Sequence, residues 1–347
     1  MTFKIGTKTI GDNHPVFIIA EMSCNHLQNY DYAVEIIKKA KEAGADAIKL
    51  QTYTPDTMTI DCHNEYFSLK GTIWEGKTLY ELYQEAYTPW EWQPKLKKIA
   101  EELGLIFFST PFDKSAVDFL EEMDVPVYKI ASYEITDIPL IEYIAEKQKP
   151  VIFSIGMGTL TDIDLVLSTI RNKQNNDIAL LKCVSAYPTP IEETNLLTIK
   201  NIPETFGVIP GLSDHTPTIT TSILSVALGA SIIEKHLTID RKLGGPDAKF
   251  SLNPEEFKQM VQAVREAEKA IGQVTYELND KQKRSRETAR SLFVVKAIQK
   301  GEVFTEENIR SIRPGYGLHP KYSRQILGKR AKKGLERGTP LKWEFVE

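Results

Sequence analysis

Cysteine is scarce in this chain, three in 347 residues (Cys24, Cys62 and Cys183), and no two stand in CxxC spacing. An odd, scattered count excludes a disulfide framework and a cysteine-built structural zinc site. No apolar run reaches the roughly 20 residues that a bilayer-spanning helix needs. The N-terminal Met1-Thr-Phe-Lys-Ile-Gly6 lacks the shape of a signal peptide. The expectation is a cytoplasmic protein with no membrane partner. An excess of one charge is missing too: 43 Lys plus Arg stand against 47 Asp plus Glu, a net charge of -4. Nothing in that balance asks for nucleic acid. What is present is a 41% apolar chain, long enough for one large domain and a small one.

Apolar runs of the kind that form strands buried on both faces alternate with stretches of helical period. The strands are expected at 16–23, 46–52, 105–112, 127–132, 151–156 and 178–185, with two more ending near His215 and His236. Helices are expected at 32–43, 90–103, 114–123, 138–147, 162–173, 216–229 and 254–271. Eight strand–helix units predict an α/β fold of the (β/α)8 barrel type. One stretch, 53–88, breaks the rhythm and carries Trp74 and Leu79-Tyr-Glu-Leu-Tyr83. Insertions of that length in compact domains serve as lids or binding loops.

After Gly272 the character changes. Residues 279–288 are charged and apolar-poor, which reads as a linker, and from 289 the strands are short and the turns frequent. The expected domains are a barrel over 1–278, a linker over 279–288 and a small mostly-β module over 289–347. Such a module is too small to be very stable alone.

The stretch from Gly211 to His236 concentrates the chemistry. Gly211-Leu-Ser-Asp-His215 and Ile233-Glu-Lys-His236 each place a histidine at the end of a strand. In a parallel barrel neighbouring strand ends share one mouth, where active sites are built. Two neutral imidazoles meeting there, with Asp214 and Glu234 near, would form half of a divalent-metal site. The alternative is a pair of core histidines. The other strand ends offer Glu21, Lys49 and Gln51, Thr110, Lys129 with Ser132 and Glu134, Ser154, Ser185 with Tyr187, and Ser213. Lysines set among apolar residues are costly to bury without an anion. Lys49 and Lys129 with these hydroxyls would suit a phosphate and a carboxylate. Each lysine could instead pair with an internal glutamate.

In this order the motifs Glu21…Asn25-His26, Ile48-Lys-Leu-Gln-Thr52, Phe108-Ser-Thr-Pro-Phe112, Tyr128-Lys-Ile-Ala-Ser-Tyr-Glu134, Tyr187-Pro-Thr-Pro190, Gly211-Leu-Ser-Asp-His215 and Glu234-Lys-His236 resemble the sialic acid synthase family. The tail, Lys300-Gly-Glu302…Arg313-Pro-Gly315, resembles that family's antifreeze-like (SAF) domain. The insertion, with Gly317-Leu-His-Pro320, is closest to the pseudaminic acid branch.

The resemblance implies condensation of phosphoenolpyruvate with an open-chain 2,4-diacetamido-2,4,6-trideoxy hexose. Neuraminate or legionaminate synthesis, on other amino sugars, is the alternative. It assigns phosphoenolpyruvate to Lys49, Thr110, Lys129, Ser132, Ser154 and Ser213, with Gln51 also at the substrate. Ser185 stands where the family carries an asparagine. A divalent ion, Mn²⁺ by preference with Mg²⁺ or Co²⁺ as substitutes, falls to His215 and His236. Glu21 and Glu134 face it, and Tyr187, Asp247 and Arg313 meet the sugar. A homodimer that exchanges its C-terminal domains is also implied. An aromatic-rich insertion would suit a deoxy sugar with apolar substituents.

Two rival readings follow from single features. Lys182, in Leu180-Leu-Lys-Cys183, would be the nucleophile of a metal-free Schiff-base aldolase. A glycan- or ice-binding role for the tail sits badly with its basic residues, Arg310, Arg313, Lys321, Arg324, Lys329, Arg330 and Lys332-Lys333.

Overall fold

The computed structural model describes residues 1–347 and divides into two compact units, Met1–Gly272 and Gln273–Glu347. The first unit begins with a hairpin that the sequence did not announce, β1 (Thr2–Ile5) against β2 (Lys8–Gly11). It buries Phe3, Ile5 and Ile10 in the main core.

A closed barrel of eight parallel strands follows: β3 (Phe17–Glu21), β4 (Ala47–Thr52), β5 (Ile106–Pro111), β6 (Tyr128–Ile130), β7 (Val151–Ser154), β8 (Ile178–Lys182), β9 (Ile209–Asp214) and β10 (Ile232–His236). Closure is by β10 on β3. Around it run α1 (Tyr30–Ala43), α2 (Pro55–Met58), α3 (Leu79–Ala86), α4 (Gln93–Glu102), α5 (Lys114–Glu122), α6 (Ile138–Ala145), α7 (Leu160–Asn172), α8 (Leu197–Phe206), α9 (Thr220–Ala227) and α10 (Pro254–Ile271). Where both bounds were expected, the strands are one to three residues shorter. Asn29, Asp113 and Asn253 accept the first free backbone N–H groups of α1, α5 and α10, the usual reason such residues start helices. No helix is long and apolar enough to cross a membrane.

The insertion is not a bare loop. It holds α2, a Ser68–Thr78 bridge and α3, which starts with a Thr78–Glu81 capping box. It is fastened at both ends. Trp90 Nε1 donates to Tyr53 O at 3.0 Å, and Gln28 Nε2 to Tyr87 O at 2.5 Å. His26 is spent on the same task, 3.0 Å from Thr88 Oγ1 and edge-on to Trp92.

The second unit opens with a helix. The run expected as a linker contains α11 (Asp280–Arg286), capped by Asn279 and exposed throughout. A cap and seven polar residues, five of them charged, suffice for two turns without an apolar face. Then come β11 (Ser291–Val294), antiparallel to β12 (Ile309–Ile312), and α12 (Ser323–Ile326). They surround a small core that includes Leu292, Phe304 and Leu341. The near-neutral total hides opposite charges. Gln273–Glu347 has 17 Lys plus Arg and 9 Asp plus Glu, a net +8; Met1–Gly272 has 26 and 38, a net -12.

Candidate active site

In parallel neighbours, residues in register share a face. Glu21 is in register with Lys49 and with His236, and Gln51 with Thr110. Period-two alternation turns this set toward the barrel axis. Lys49 Nζ lies 2.7 Å from Glu21 Oε2 and 3.6 Å from Glu234 Oε1, and donates to Thr110 Oγ1 at 3.1 Å. Lys129 donates to Ser154 Oγ at 2.8 Å and lies 3.9 Å from Glu234 Oε2.

All four charged groups are buried, and distance decides how each responds. Burial alone would lower Lys49, but Glu21 and Glu234 hold it above the ordinary lysine value. Burial wins at Lys129, whose nearest carboxylate is farther off. Glu21 is raised by burial against the pull of Lys49. Glu234, facing both lysines, is lowered despite its burial. The lysines therefore have partners within the protein, and an incoming anion would compete for them.

Hydroxyls rim this floor. Gly156 N donates to Ser132 Oγ at 2.9 Å. A Cβ on Gly156 would stand 2.4 Å from Ser185 Oγ and 2.9 Å from Ser132 Oγ, so the close approach requires glycine here. Ser185 Oγ is buried without a partner. Ser213 Oγ reaches Glu234 Oε1 at 3.4 Å.

Above the floor the two imidazoles meet, ring centroids 5.2 Å apart. Tyr187 packs on His215 at 4.7 Å and Phe250 on His236 at 4.9 Å. His215 Nδ1 lies 3.3 Å from Val184 O and 3.6 Å from Cys183 Sγ. A proton donated from Nδ1 to the carbonyl leaves the lone pair on Nε2. Burial, with His215 beside it, holds His236 well below the usual imidazole value, so its ring is neutral. Its Nδ1 is buried with no hydrogen-bond partner, 3.6 Å from Asp247 Oδ2. Burial pulls His215 down, but the neighbouring Cys183 holds it above the usual imidazole value. With that proton displaced, the two imidazoles, one with an orphaned nitrogen, fit a borderline divalent ion. No group of three or more His, Cys, Asp or Glu side chains is arranged to hold one. The remaining positions of such an ion would thus fall to substrate and water.

Glu134 comes from the short turn Ser132–Thr136 after β6. Its Oε2 is buried and unpaired. Burial pushes its carboxyl up to about 7, against a weaker downward pull from Lys129. A carboxyl poised there can both take and give a proton near neutrality.

These groups share a cavity of about 330 Å³ at the carboxyl ends of the strands. It gathers Glu21, Lys49, Gln51, Thr110, Lys129, Ser132, Glu134, Ser154, Tyr187, Ser213, His215, His236 and Asp247. A second hollow, of about 510 Å³, opens beside Lys39, Asp240 and Lys258 without any buried polar group. Ser185 stands just behind the lining, its Oγ beside Gly156, and Arg313 is an exposed residue of the second unit, after β12. Asp247, expected on the sugar, is half-buried and accepts from Ser23 Oγ at 2.5 Å.

Strand alternation overturns one further expectation and counts against one rival reading. Asp214 is not beside the imidazoles: it faces outward, accepting from Lys235 at 2.9 Å and from Thr221 and Ser222 of α9. Lys182 is in register with Leu212, whose side chain packs in a cluster with Ile199 of α8. Its amine donates to Cys183 O and lies outside the cavity. Sequence reasoning missed Phe112, Phe250, Cys24 and Cys183, which line the cavity. Apolar residues in strands and loops carry no signal of which side they serve.

The profile of the NeuB family matches residues 36–276, and that of the SAF domain residues 289–347. A pseudaminic acid synthase of Helicobacter pylori (strain ATCC 700392 / 26695) is 47% identical, covering 96% of this chain and 98% of its own. A pseudaminic acid synthase of Campylobacter jejuni subsp. jejuni serotype O:23/36 (strain 81-176) is 46% identical over 94% and 95% of the two chains. Among solved structures, an N-acetylneuraminic acid (sialic acid) synthetase of Leptospira borgpetersenii serovar Hardjo-bovis, in complex with citrate, superposes with a TM-score of 0.73. It is 32% identical and covers 82% of this chain and 95% of its own.

Proposed function

The chain belongs to the NeuB family, and from that membership we propose that it condenses phosphoenolpyruvate with an open-chain 2,4-diacetamido-2,4,6-trideoxy hexose, giving pseudaminic acid and phosphate. It is a nonulosonic acid synthase, a transferase that forms a carbon–carbon bond. The observation that carries the reading is one cavity with a lysine-and-hydroxyl floor beneath a pair of imidazoles.

The floor residues Lys49, Thr110, Lys129, Ser132, Ser154 and Ser213 bind the phosphate and carboxylate of phosphoenolpyruvate. Gln51, whose amide donates to Glu21 Oε1 at 3.1 Å and Ser23 Oγ at 3.0 Å, holds Glu21 in place. Tyr187 and Asp247 bound the sugar end. A divalent ion held by His215 and His236, Mn²⁺ by preference with Mg²⁺ or Co²⁺ as substitutes, supplies Lewis acidity toward the aldehyde when bound.

The enol carbon C3 attacks the aldehyde carbon, forming the new bond as the carbonyl π bond opens to an alkoxide. Positive charge develops at C2, where the lysine-rich floor keeps the phosphate group in place. Water adds at C2 as Glu134 takes one of its protons, which neutralises the alkoxide. The bond from C2 to the phosphate oxygen then breaks. The new C2 hydroxyl gives its proton to the phosphate as the keto group forms, and the lysines stabilise the departing negative charge. Loss of phosphate drives the step forward.

We also propose a homodimer in which Arg313 of one chain serves the other's barrel. The opposite net charges of the two units favour docking of the basic module on an acidic barrel. Arg313 would donate several fixed hydrogen bonds to sugar oxygens or an acyl carbonyl. The proposal for the reaction is tested by incubating the protein, Mn²⁺ and phosphoenolpyruvate with a panel of amino sugars. Phosphate release matched by a nonulosonic acid of pseudaminic stereochemistry supports it. Higher kcat/KM with N-acetylmannosamine would make the chain a neuraminate synthase and overturn the choice of sugar.

A further inference from the structure

On α3, Leu79, Leu82, Tyr83 and Ala86 stand at positions i, i+3, i+4 and i+7, the spacing of a core-facing stripe. All four line the ligand cavity. Met58, at the end of α2, and Leu69 extend the same apolar surface. A stripe of this kind ordinarily buries itself in protein, yet only Leu82 of the four is buried here; the other three remain partly accessible. The wall is held in position by its neighbours. Trp74 Nε1 donates to Pro246 O at 3.0 Å, tying the insertion to the loop that carries Asp247 and Phe250. Its ring leans on Tyr187 at 5.8 Å. Floor and wall thus differ in kind: lysines, glutamates and hydroxyls on the barrel side, mainly aliphatic and aromatic carbon on the insertion side, where Thr72 and Tyr83 bear hydroxyls.

Resting on the function proposed above, we infer that this wall is the specificity subsite that selects the sugar by its C6 methyl. A methyl laid on the wall completes burial of the helix stripe. A C6 hydroxyl laid on its aliphatic part, Met58, Leu69 and Leu79, would lose water without gaining a partner from those side chains. Hydrophobic pockets reject an added hydroxyl or a missing methyl by roughly ten- to a hundredfold. That sets the size of the effect.

The test compares two substrates that differ at one atom, 2,4-diacetamido-2,4,6-trideoxy hexose and its 6-hydroxy counterpart. kcat/KM for both, and KM for phosphoenolpyruvate, are measured on the wild type, Leu79→Asn and Met58→Gln. Both positions are partly accessible, and circular dichroism with thermal melting checks that each variant folds. The wild type should prefer the 6-deoxy sugar by about tenfold or more. At least one folded variant should bring the ratio near unity, with KM for phosphoenolpyruvate within about twofold of wild type. A wild-type preference that survives in every folded variant overturns the wall while leaving the proposed reaction standing. If the folded variants lose both sugars equally, the wall is also overturned, since it then supports rather than selects. A wild type that prefers N-acetylmannosamine to both sugars overturns the functional reading, and the wall with it.

Discussion

Asp214 and Lys235 form a buried ion pair on the outer face of the barrel, Nζ to Oδ2 2.9 Å, while the residues on either side of each face the cavity. The pair is closed by backbone and hydroxyls. Lys235 donates to Thr216 O and Thr218 O, and Asp214 accepts from Thr221, Ser222 and Thr216 N. It clamps the loop after β9 to β10, and so fixes the strand ends that carry His215 and His236.

Removing one partner leaves a charge buried without compensation, which costs about 3–5 kcal/mol. Lys235→Met and Asp214→Asn should each lower stability by that order in chemical denaturation. Lys235→Met combined with Asp214→Asn should cost less than the sum of the two. Strict additivity would mean that the pair is not a coupled unit.

The sign of the pH effect at Glu134 can be worked out from its raised carboxyl. The ordinary carboxyl value is 4.5, and the folded one is about 7. Between those values the folded protein keeps a proton that the unfolded chain releases, so stability falls as pH rises through the window. Above about pH 7 the full penalty is present, roughly 3 kcal/mol. Glu134→Gln should remove this slope and be the more stable protein at pH 8. As the base for water, Glu134 should also give the wild-type kcat an acid limb near pH 7. An unchanged pH–stability slope in the glutamine variant refutes the burial argument. A kcat profile flat from pH 6 to 8 refutes the role as base.

The metal reading predicts that His215→Ala and His236→Ala each lose turnover with the fold intact. Each should also bind Mn²⁺ roughly a hundredfold more weakly, measured by equilibrium dialysis after exhaustive chelation. Mn²⁺ added to chelated protein should restore the wild type alone. Full activity in metal-free wild-type protein would sink the Lewis-acid contribution.

Much of this arrangement could be read from the chain because a parallel barrel has a strong periodic signature. Each buried strand announces itself as an apolar run, and helix caps such as Asn253 mark the next element. Adjacent histidines at matching strand ends were legible for the same reason. What escaped is whatever apolar content cannot encode. In a strand buried on both faces, alternation leaves no polar–apolar pattern, so Asp214 looked like a neighbour of His215 although it points the opposite way. Lys182 misled in the same manner. The helix α8 was overlooked because it carries Pro203 in its interior, which normally argues against a helix. The hairpin of β1 and β2 has strands of four residues, too short for periodicity to register.

The last prediction concerns the exchange of Arg313 between chains. The second unit has a core of its own, but a small one, and its net charge of +8 opposes the -12 of the barrel unit. It should dock on an acidic surface, and α11 with its exposed flanks over 273–290 gives it reach. Two inactive variants decide whose barrel Arg313 serves. His236→Ala keeps its arginine and loses its imidazole; Arg313→Ala does the reverse. Co-expressed, they should form mixed dimers of the proposed assembly. With exchange, the intact barrel of the arginine variant receives the intact arginine of the histidine variant. One site per mixed dimer is then whole, and up to half of the wild-type activity per mixed dimer returns. If Arg313 serves its own barrel, every site carries a lesion and nothing returns. Attraction between opposite net charges adds a second readout. Raising ionic strength from about 0.05 to 0.5 M shortens the screening length from roughly 14 to 4 Å. It should therefore weaken the dimer in sedimentation velocity. Mixed dimers that form yet stay inactive, with each single variant also inactive, rule the exchange out.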